Sequence, residues 1–180
     1  MKSVSQIINE LIDREGPYSD NPDDPGGPTC WGWTEKNARL KGYEGDMRDF
    51  PRETAFDWYL SDYWIETGYK KVSELSQSIA IELLDSGVNA GDWRASKWLQ
   101  RSLNVLNREQ HDYEDISADG IVGPASLRAL NDYLGKRKRD GEIVLLRCLN
   151  SWQGVHYMVC AEKRESFETF VFGWMLNRVD

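Results

Sequence analysis

The chain is poor in histidine and cysteine, with two His and three Cys in 180 residues. Only His111 and His156 are available, and neither His-x-x-x-His nor Cys-x-x-Cys occurs. A zinc site built from its own side chains is therefore not expected, which sets aside zinc amidases and zinc peptidases, and no other cofactor is implied. Cys30, Cys148 and Cys160 are odd in number and widely spaced, the pattern of a reducing compartment rather than of a disulfide framework. Long apolar runs are lacking as well. The opening Met1-Lys2-Ser3-Val4-Ser5-Gln6 leads into a pattern broken by polar residues, so neither a signal peptide nor a membrane span is visible and no stable membrane insertion is expected. A target outside the cytoplasm would require another factor to export the chain or to breach the membrane.

Positive charge is also scarce. Lys and Arg number 22 against 30 Asp and Glu, for a formal net charge of -8. Sequence-independent nucleic-acid binding needs clustered cations, so no nucleic-acid partner is expected. The one basic run, Lys136 to Arg139, reads as a solvated helix end. What the chain has in quantity is aromatic surface, with eight Trp and eight Tyr. Helix packing accounts for most of these; a sugar-stacking groove is the other use of such rings.

Val4, Ile7, Ile8, Leu11 and Ile12 recur at helical spacing, Ser3 and Gln6 form a capping-box pattern, and Gly16-Pro17 ends the helix. Glu15 falls on the same side of this helix as Val4, Ile8 and Leu11, so a carboxylate closes the apolar face. The stretch from Tyr18 to Thr34 is interrupted by Pro22, Pro25, Pro28 and Gly26-Gly27 and is expected to be a structured loop with one short hairpin. Helical stripes follow: Phe56, Tyr59, Leu60, Tyr63 and Trp64; then Ile79 through Val88, capped by Ser76 or Ser78; then Ala95 through Leu106. Residues 107–120 read as a linker or long loop. Pro124 opens a helix through Leu130, and further helices run from Gly141 to about Glu162 and from Ser166 to Leu176. The class is mainly α, with at most a small β element near residues 29–34.

Glycosidic cleavage requires an acid to protonate the leaving oxygen, and a second group that assists water or stabilises the oxocarbenium ion. A carboxyl group keeps its proton near neutral pH only in a desolvating pocket. Glu15, on the dry side of a helix end against an irregular loop, meets that requirement. Periodicity alone supports equally a helix-end carboxylate paired with Arg14 or with another arginine. Asp20, Asp23 and Asp24 can each serve simply in Asx turns. Glu15, Asp24 and Thr29 nevertheless stand in the order Glu-x8-Asp-x4-Thr, close to the catalytic order of phage-type lysozymes.

The segments Asp13-Arg14-Glu15-Gly16-Pro17-Tyr18 and Asn21-Pro22-Asp23-Asp24-Pro25-Gly26-Gly27-Pro28-Thr29, followed by Gly32-x-Thr34, resemble the opening motif of glycoside hydrolase family 108. Asp62-Tyr63-Trp64, Asp85-Ser86-Gly87-Val88-Asn89-Ala90-Gly91 and Ala95-x-Lys97-Trp98-Leu99-Gln100-Arg101 extend the resemblance. Asp119 to Leu127 and the closing Phe170-x-x-Gly173-Trp174-x-x-Asn177-Arg178-Val179 are similar to the peptidoglycan-binding region that accompanies that family. Pro17 stands where the family commonly has a second Gly, and Cys30-Trp31 and Trp33 replace a smaller polar residue, Tyr and Ile. Glu15, Asp24 and Thr29 are all retained.

The resemblance implies a lysozyme-like helical domain over residues 1–90, packed with a helical peptidoglycan-binding region over residues 91–180. It implies an N-acetylmuramidase of the phage-endolysin or secretion-linked type, a bacteriolytic enzyme, with Glu15 as the acid and Asp24 with Thr29 handling water. Tyr18, Trp31 and Trp33 are expected as sugar platforms. Asp85 and Asn89 would bind sugar hydroxyl or N-acetyl groups, or else satisfy a buried loop end. A lytic transglycosylase acting on the same bond and a non-enzymatic wall-binding module are the alternatives. The partner is bacterial peptidoglycan and the expected state a monomer. It would be made in a bacterial cytoplasm and reach the wall after holin- or secretion-dependent release.

Overall fold

A computed structural model describes residues 2–20 and 27–179. Among them, eight α-helices and one two-stranded antiparallel sheet are present, and the chain divides into two compact units, residues 1–62 and 63–180. No described helix is long and apolar enough to cross a membrane.

In the first unit, α1 (Val4–Glu15) begins at the expected capping box, with the Ser3 hydroxyl accepting from the Gln6 N–H and the Gln6 side chain accepting from the Ser3 N–H. Its apolar stripe buries Ile7, Ile8, Leu11 and Ile12, and it ends at Gly16. The hairpin is formed by β1 (Thr29–Cys30) and β2 (Trp33–Thr34), with Thr29 opposite Thr34 and Cys30 opposite Trp33. The Thr34 hydroxyl then caps α2 (Glu35–Leu40) by accepting from the Asn37 N–H. A 3-10 turn at Met47–Asp49 leads into α3 (Arg52–Trp58). The aromatic stripe beginning at Phe56 is not one regular α-helix: the chain widens into a π-helical stretch over Tyr59–Ile65.

The second unit is built from α4 (Tyr69–Leu75), α5 (Gln77–Ala90), α6 (Asp92–Leu106), α7 (Pro124–Lys163) and α8 (Glu168–Arg178). The core helix α5 is capped by Ser76, whose hydroxyl accepts from the Ile79 N–H, and Ile79, Ala80 and Leu83 are fully buried. Ser76 and Ser78 also donate to the carboxylate of Glu142 on α7, holding that carboxyl below its ordinary range. The two helices expected on either side of residue 140 both lie within the span labelled α7, separated by a kink at Lys138, where φ is +54° and the backbone leaves the helical region.

Residues 107–123 carry no helix or strand and are a long loop folded onto α6 rather than a spacer between units. The Asn104 amide brackets Ile116, donating to its carbonyl and accepting from its N–H. The Asp112 side chain, 1% exposed, lies between Arg108, Lys136 and Arg137, and the Arg108 guanidinium above all holds its carboxyl well below the usual carboxylate range. Asp112→Asn should therefore lower the melting temperature at neutral pH. The contribution of Asp112 is complete above the unfolded-state carboxylate value of about 3.9 and is lost as pH falls through the lower folded value. Thermal melts of both proteins from neutral pH into acid should show the difference shrinking to nothing; a gap that persists in strong acid would refute the electrostatic account.

Candidate active site

Glu15 is the last residue of α1 and is half-buried. Directly after it, Gly16 turns the chain at φ +80°, and the Gly16 carbonyl accepts from the N–H of Trp31 at 3.1 Å. Ser19 and Thr29 then pair antiparallel, each N–H donating to the other's carbonyl at 2.8 Å. The chain leaving α1 and the hairpin are thus joined by backbone bonds at two points just after Glu15, at Gly16 and at Ser19. At the hairpin turn, Gly32 has φ +81°, and a Cβ placed there would lie 2.8 Å from the Glu15 Cγ and 2.2 Å from the Tyr59 hydroxyl oxygen. Only a residue without a side chain lets the turn approach Glu15 this closely.

Tyr59, 1% exposed, donates its hydroxyl to the Trp31 carbonyl at 3.1 Å. Trp31 itself has φ +51° and donates its indole N–H to the Phe50 carbonyl. The Arg52 guanidinium lies 5.8 Å from the Trp31 ring centre and pairs with Asp13 at 2.6 Å and with Asn9, both on α1. Arg52 and Tyr59 therefore fix the aromatic turn against the helix that bears the acid. Neither stood out in the sequence: Tyr59 shares a stripe with ordinary core residues, and Arg52 is one exposed-type cation at the start of α3.

The expected site residues separate into distinct groups. Glu15 and the Trp31 turn are brought together, and Thr29 lies in the strand leading into that turn, its hydroxyl donating to the Gly27 carbonyl at 3.0 Å. Tyr18 is half-buried, its hydroxyl 3.4 Å from an Asp20 carboxylate oxygen; desolvation and the Asp20 charge raise its ionisation above the ordinary phenol range. Asp24 lies outside the described residues. Trp33 does not serve as an open platform: it is 5% exposed, and Trp58, Tyr59 and the Lys41 ammonium pack around its ring. Trp31 differs because it stands in the left-handed turn at φ +51°, outside either strand, whereas Trp33 begins β2 and faces the core.

Asp85 and Asn89 belong to the second unit. Asp85, 5% exposed, accepts from Gln153 of α7 at 3.3 Å and pairs with Arg178 of α8 at 3.2 Å, so its carboxylate ties three helices together. Asn89 donates back to the Asp85 carbonyl one turn earlier. This is the loop-satisfying alternative in a different form: a buried helix-to-helix tie. Arg178→Ala should destabilise the fold by about 2 kcal/mol, because it removes a charged partner from a carboxylate that stays buried. Denaturant titration of the variant checks this, and an unchanged midpoint would show that the pair contributes nothing. Among the described residues, no group of three or more His, Cys, Asp or Glu side chains is placed to hold a metal ion.

The first unit, helical with Glu15 at a helix end beside a short hairpin, has a lysozyme-like architecture. Residues 8–91 match the family Glycosyl hydrolase 108, and residues 94–179 match the family described as Predicted Peptidoglycan domain. These matches give a glycosyl hydrolase 108-like domain, the mark of a glycoside hydrolase, followed by a C-terminal peptidoglycan-binding domain, and this architecture supports a peptidoglycan-hydrolase function. A solved structure described as Brucella abortus SagA has the same fold, with a TM-score of 0.69 and 23% identity over 94% of this chain and 86% of that one. No curated protein shows significant sequence similarity to the chain.

Proposed function

We propose that the protein is an N-acetylmuramidase that hydrolyses the β-1,4 bond between N-acetylmuramic acid and N-acetylglucosamine in peptidoglycan, with Glu15 as the general acid. The observation that carries this reading is the placement of Glu15: half-buried, last in α1, with the turn at Gly32 set against its side chain. Glu15 gives its proton to the glycosidic oxygen as the bond to the anomeric carbon breaks and the bonding pair passes to that oxygen. Water then adds to the oxocarbenium-like centre and loses a proton to a base.

Asp24, by its place in Glu-x8-Asp-x4-Thr, is the partner that activates or positions this water, and Thr29 assists. The Thr29 hydroxyl already spends its proton on the Gly27 carbonyl, so it offers lone pairs, suited to accepting a hydrogen from the water. Tyr18 and Trp31 supply aromatic surface for the C–H face of a sugar. The N-terminal region, residues 1–90, performs the chemistry, and residues 91–180 hold the wall.

The test is a digest of purified peptidoglycan in 18O-labelled water, read by mass spectrometry beside Glu15→Gln. Reducing muropeptides that carry the label at N-acetylmuramic acid are expected from the parent protein and none from the variant. Anhydro products without label would replace hydrolysis with the transglycosylase reaction, and label at N-acetylglucosamine would overturn the bond assignment.

A further inference from the structure

The second unit has a groove between α6 and α7 that the chemistry at Glu15 does not use. Its α6 wall presents Trp93, Arg94, Lys97 and Arg101, and its α7 wall Trp152 and Val155, around a volume of about 360 Å³. A second depression of about 580 Å³ shares Trp152 and Val155 and continues past Val105 and Arg147. From Trp93 to Val105 the surface follows α6 for about 18 Å, a length suited to an extended chain rather than to a compact small molecule.

Both indoles are held in place rather than loosely displayed. Trp93 is 50% exposed, yet its N–H donates to the Asp119 carbonyl at 2.8 Å. Trp152 donates its N–H to the Ser102 hydroxyl at 3.2 Å. Each ring carries a cation: the Lys97 ammonium lies 4.5 Å from the Trp93 ring centre, and the Arg101 guanidinium 4.0 Å from that of Trp152. The Asp119-Gly120 turn is part of this support. Gly120 has φ +81° and donates its N–H to buried Gln100, and a Cβ there would lie 2.4 Å from a Trp93 ring carbon. A surface Trp would not need this mounting if it served only to cover the core.

Charge selects the occupant. Arg94, Lys97, Arg101 and Arg147 line the two depressions and no acidic residue does, although the whole chain has a formal net charge of -8. We propose that this groove is a wall-binding site, separate from the residues assigned to catalysis, that holds the peptide-bearing side of peptidoglycan. Carboxylates of the stem peptide would meet the cations, and N-acetyl, lactyl and alanyl methyl groups the indoles and Val155. Guanidinium stacked on a ring keeps its N–H edge free for a carboxylate, so the Arg101–Trp152 pair is the natural anchor. The proposal rests on peptidoglycan being the polymer acted on, but not on the role of Glu15.

The experiment is co-sedimentation of the full-length chain with insoluble sacculi, in the parent and Glu15→Gln backgrounds, so that binding is read apart from cutting. Lys97→Ala/Arg101→Ala is expected to weaken binding by at least about tenfold, and Arg101→Lys to rescue it only partly, since an ammonium cannot reproduce the stacked fork. Sacculi with the stem-peptide carboxylates amidated should bind the parent chain as weakly as intact sacculi bind the double variant. Circular dichroism confirms that the variants are folded; should the double variant unfold, the amidated sacculi test the same point with the parent chain. Equal binding of intact and amidated sacculi, or of parent and folded variant, overturns the proposal. So does preferential binding to anionic phospholipid vesicles or to single-stranded DNA, which would assign the groove to a different polymer.

Discussion

Glu15→Gln should abolish measurable lysis, lowering the rate of wall clearing by about 10²–10⁴-fold, the range that a single proton donor contributes to glycoside chemistry. The carboxamide has nearly the same shape as the acid and keeps hydrogen-bonding capacity at the end of α1, but it has no proton to give the departing oxygen. Because Glu15 is half-buried and sits beside the turn at Gly32, shape is what the surrounding packing senses, and shape is preserved. The variant should therefore unfold within about 1 kcal/mol of the parent. The measurement is turbidity clearing of outer-membrane-permeabilised cells together with a denaturation curve. Retention of most of the activity would remove Glu15 from the acid role, whereas loss of both activity and fold would leave the reducing-end assay on intact parent protein to decide the reaction.

Gly32→Ala should be the most damaging conservative change in the first unit. Its methyl would enter a space bounded by the Tyr59 hydroxyl at 2.2 Å and the Glu15 Cγ at 2.8 Å, at a backbone φ of +81°. The backbone conformation alone costs a non-glycine residue about 1–2 kcal/mol, and the overpacking adds about 1–3 kcal/mol. Relief by movement of Tyr59 breaks its bond to the Trp31 carbonyl, and relief by movement of Glu15 misplaces the acid. Activity should thus fall more than stability does. Tyr59→Phe in the same chain removes the nearest contact and should recover part of the lost stability, while the Glu15 contact remains. Calorimetry and clearing assays on the single and double variants check both statements; a Gly32→Ala protein with parental stability and activity would mean that the turn does not press on Glu15.

Local chemistry in the sequence was sufficient for much of this fold. The Ser3–Gln6 box, the break at Gly16-Pro17, the hairpin near residues 29–34 and the Ser76 cap all depend on residues within a few positions of one another, and all are present. The π-helical stretch at Tyr59–Ile65 is different in kind, because the same apolar stripe satisfies both a regular and a widened helix. The short helices α2 and α4 were similarly hidden, each having too few turns to establish a period.

At the site, the motif around Glu15 marked it as the candidate acid, but periodicity could not tell Trp31 from Trp33. One lies on the turn and the other in the core, a distinction made by the left-handed backbone at Trp31 and by Trp58 and Tyr59, more than twenty residues away from Trp33. Asp85 is a plainer case of the same limit: its partners Gln153 and Arg178 lie 68 and 93 residues along the chain, beyond any local pattern.

The reciprocal bonds between Ser19 and Thr29 have an evolutionary consequence. They staple the two ends of the intervening sequence, so that what is inserted, deleted or exchanged between them is insulated from the helix and the hairpin outside. Lengthening a tethered segment adds only about 0.6 kcal/mol of closure entropy per doubling. A change of length between residues 19 and 29 would thus cost the fold little, and by the role proposed for Asp24 its main cost would fall on the handling of water.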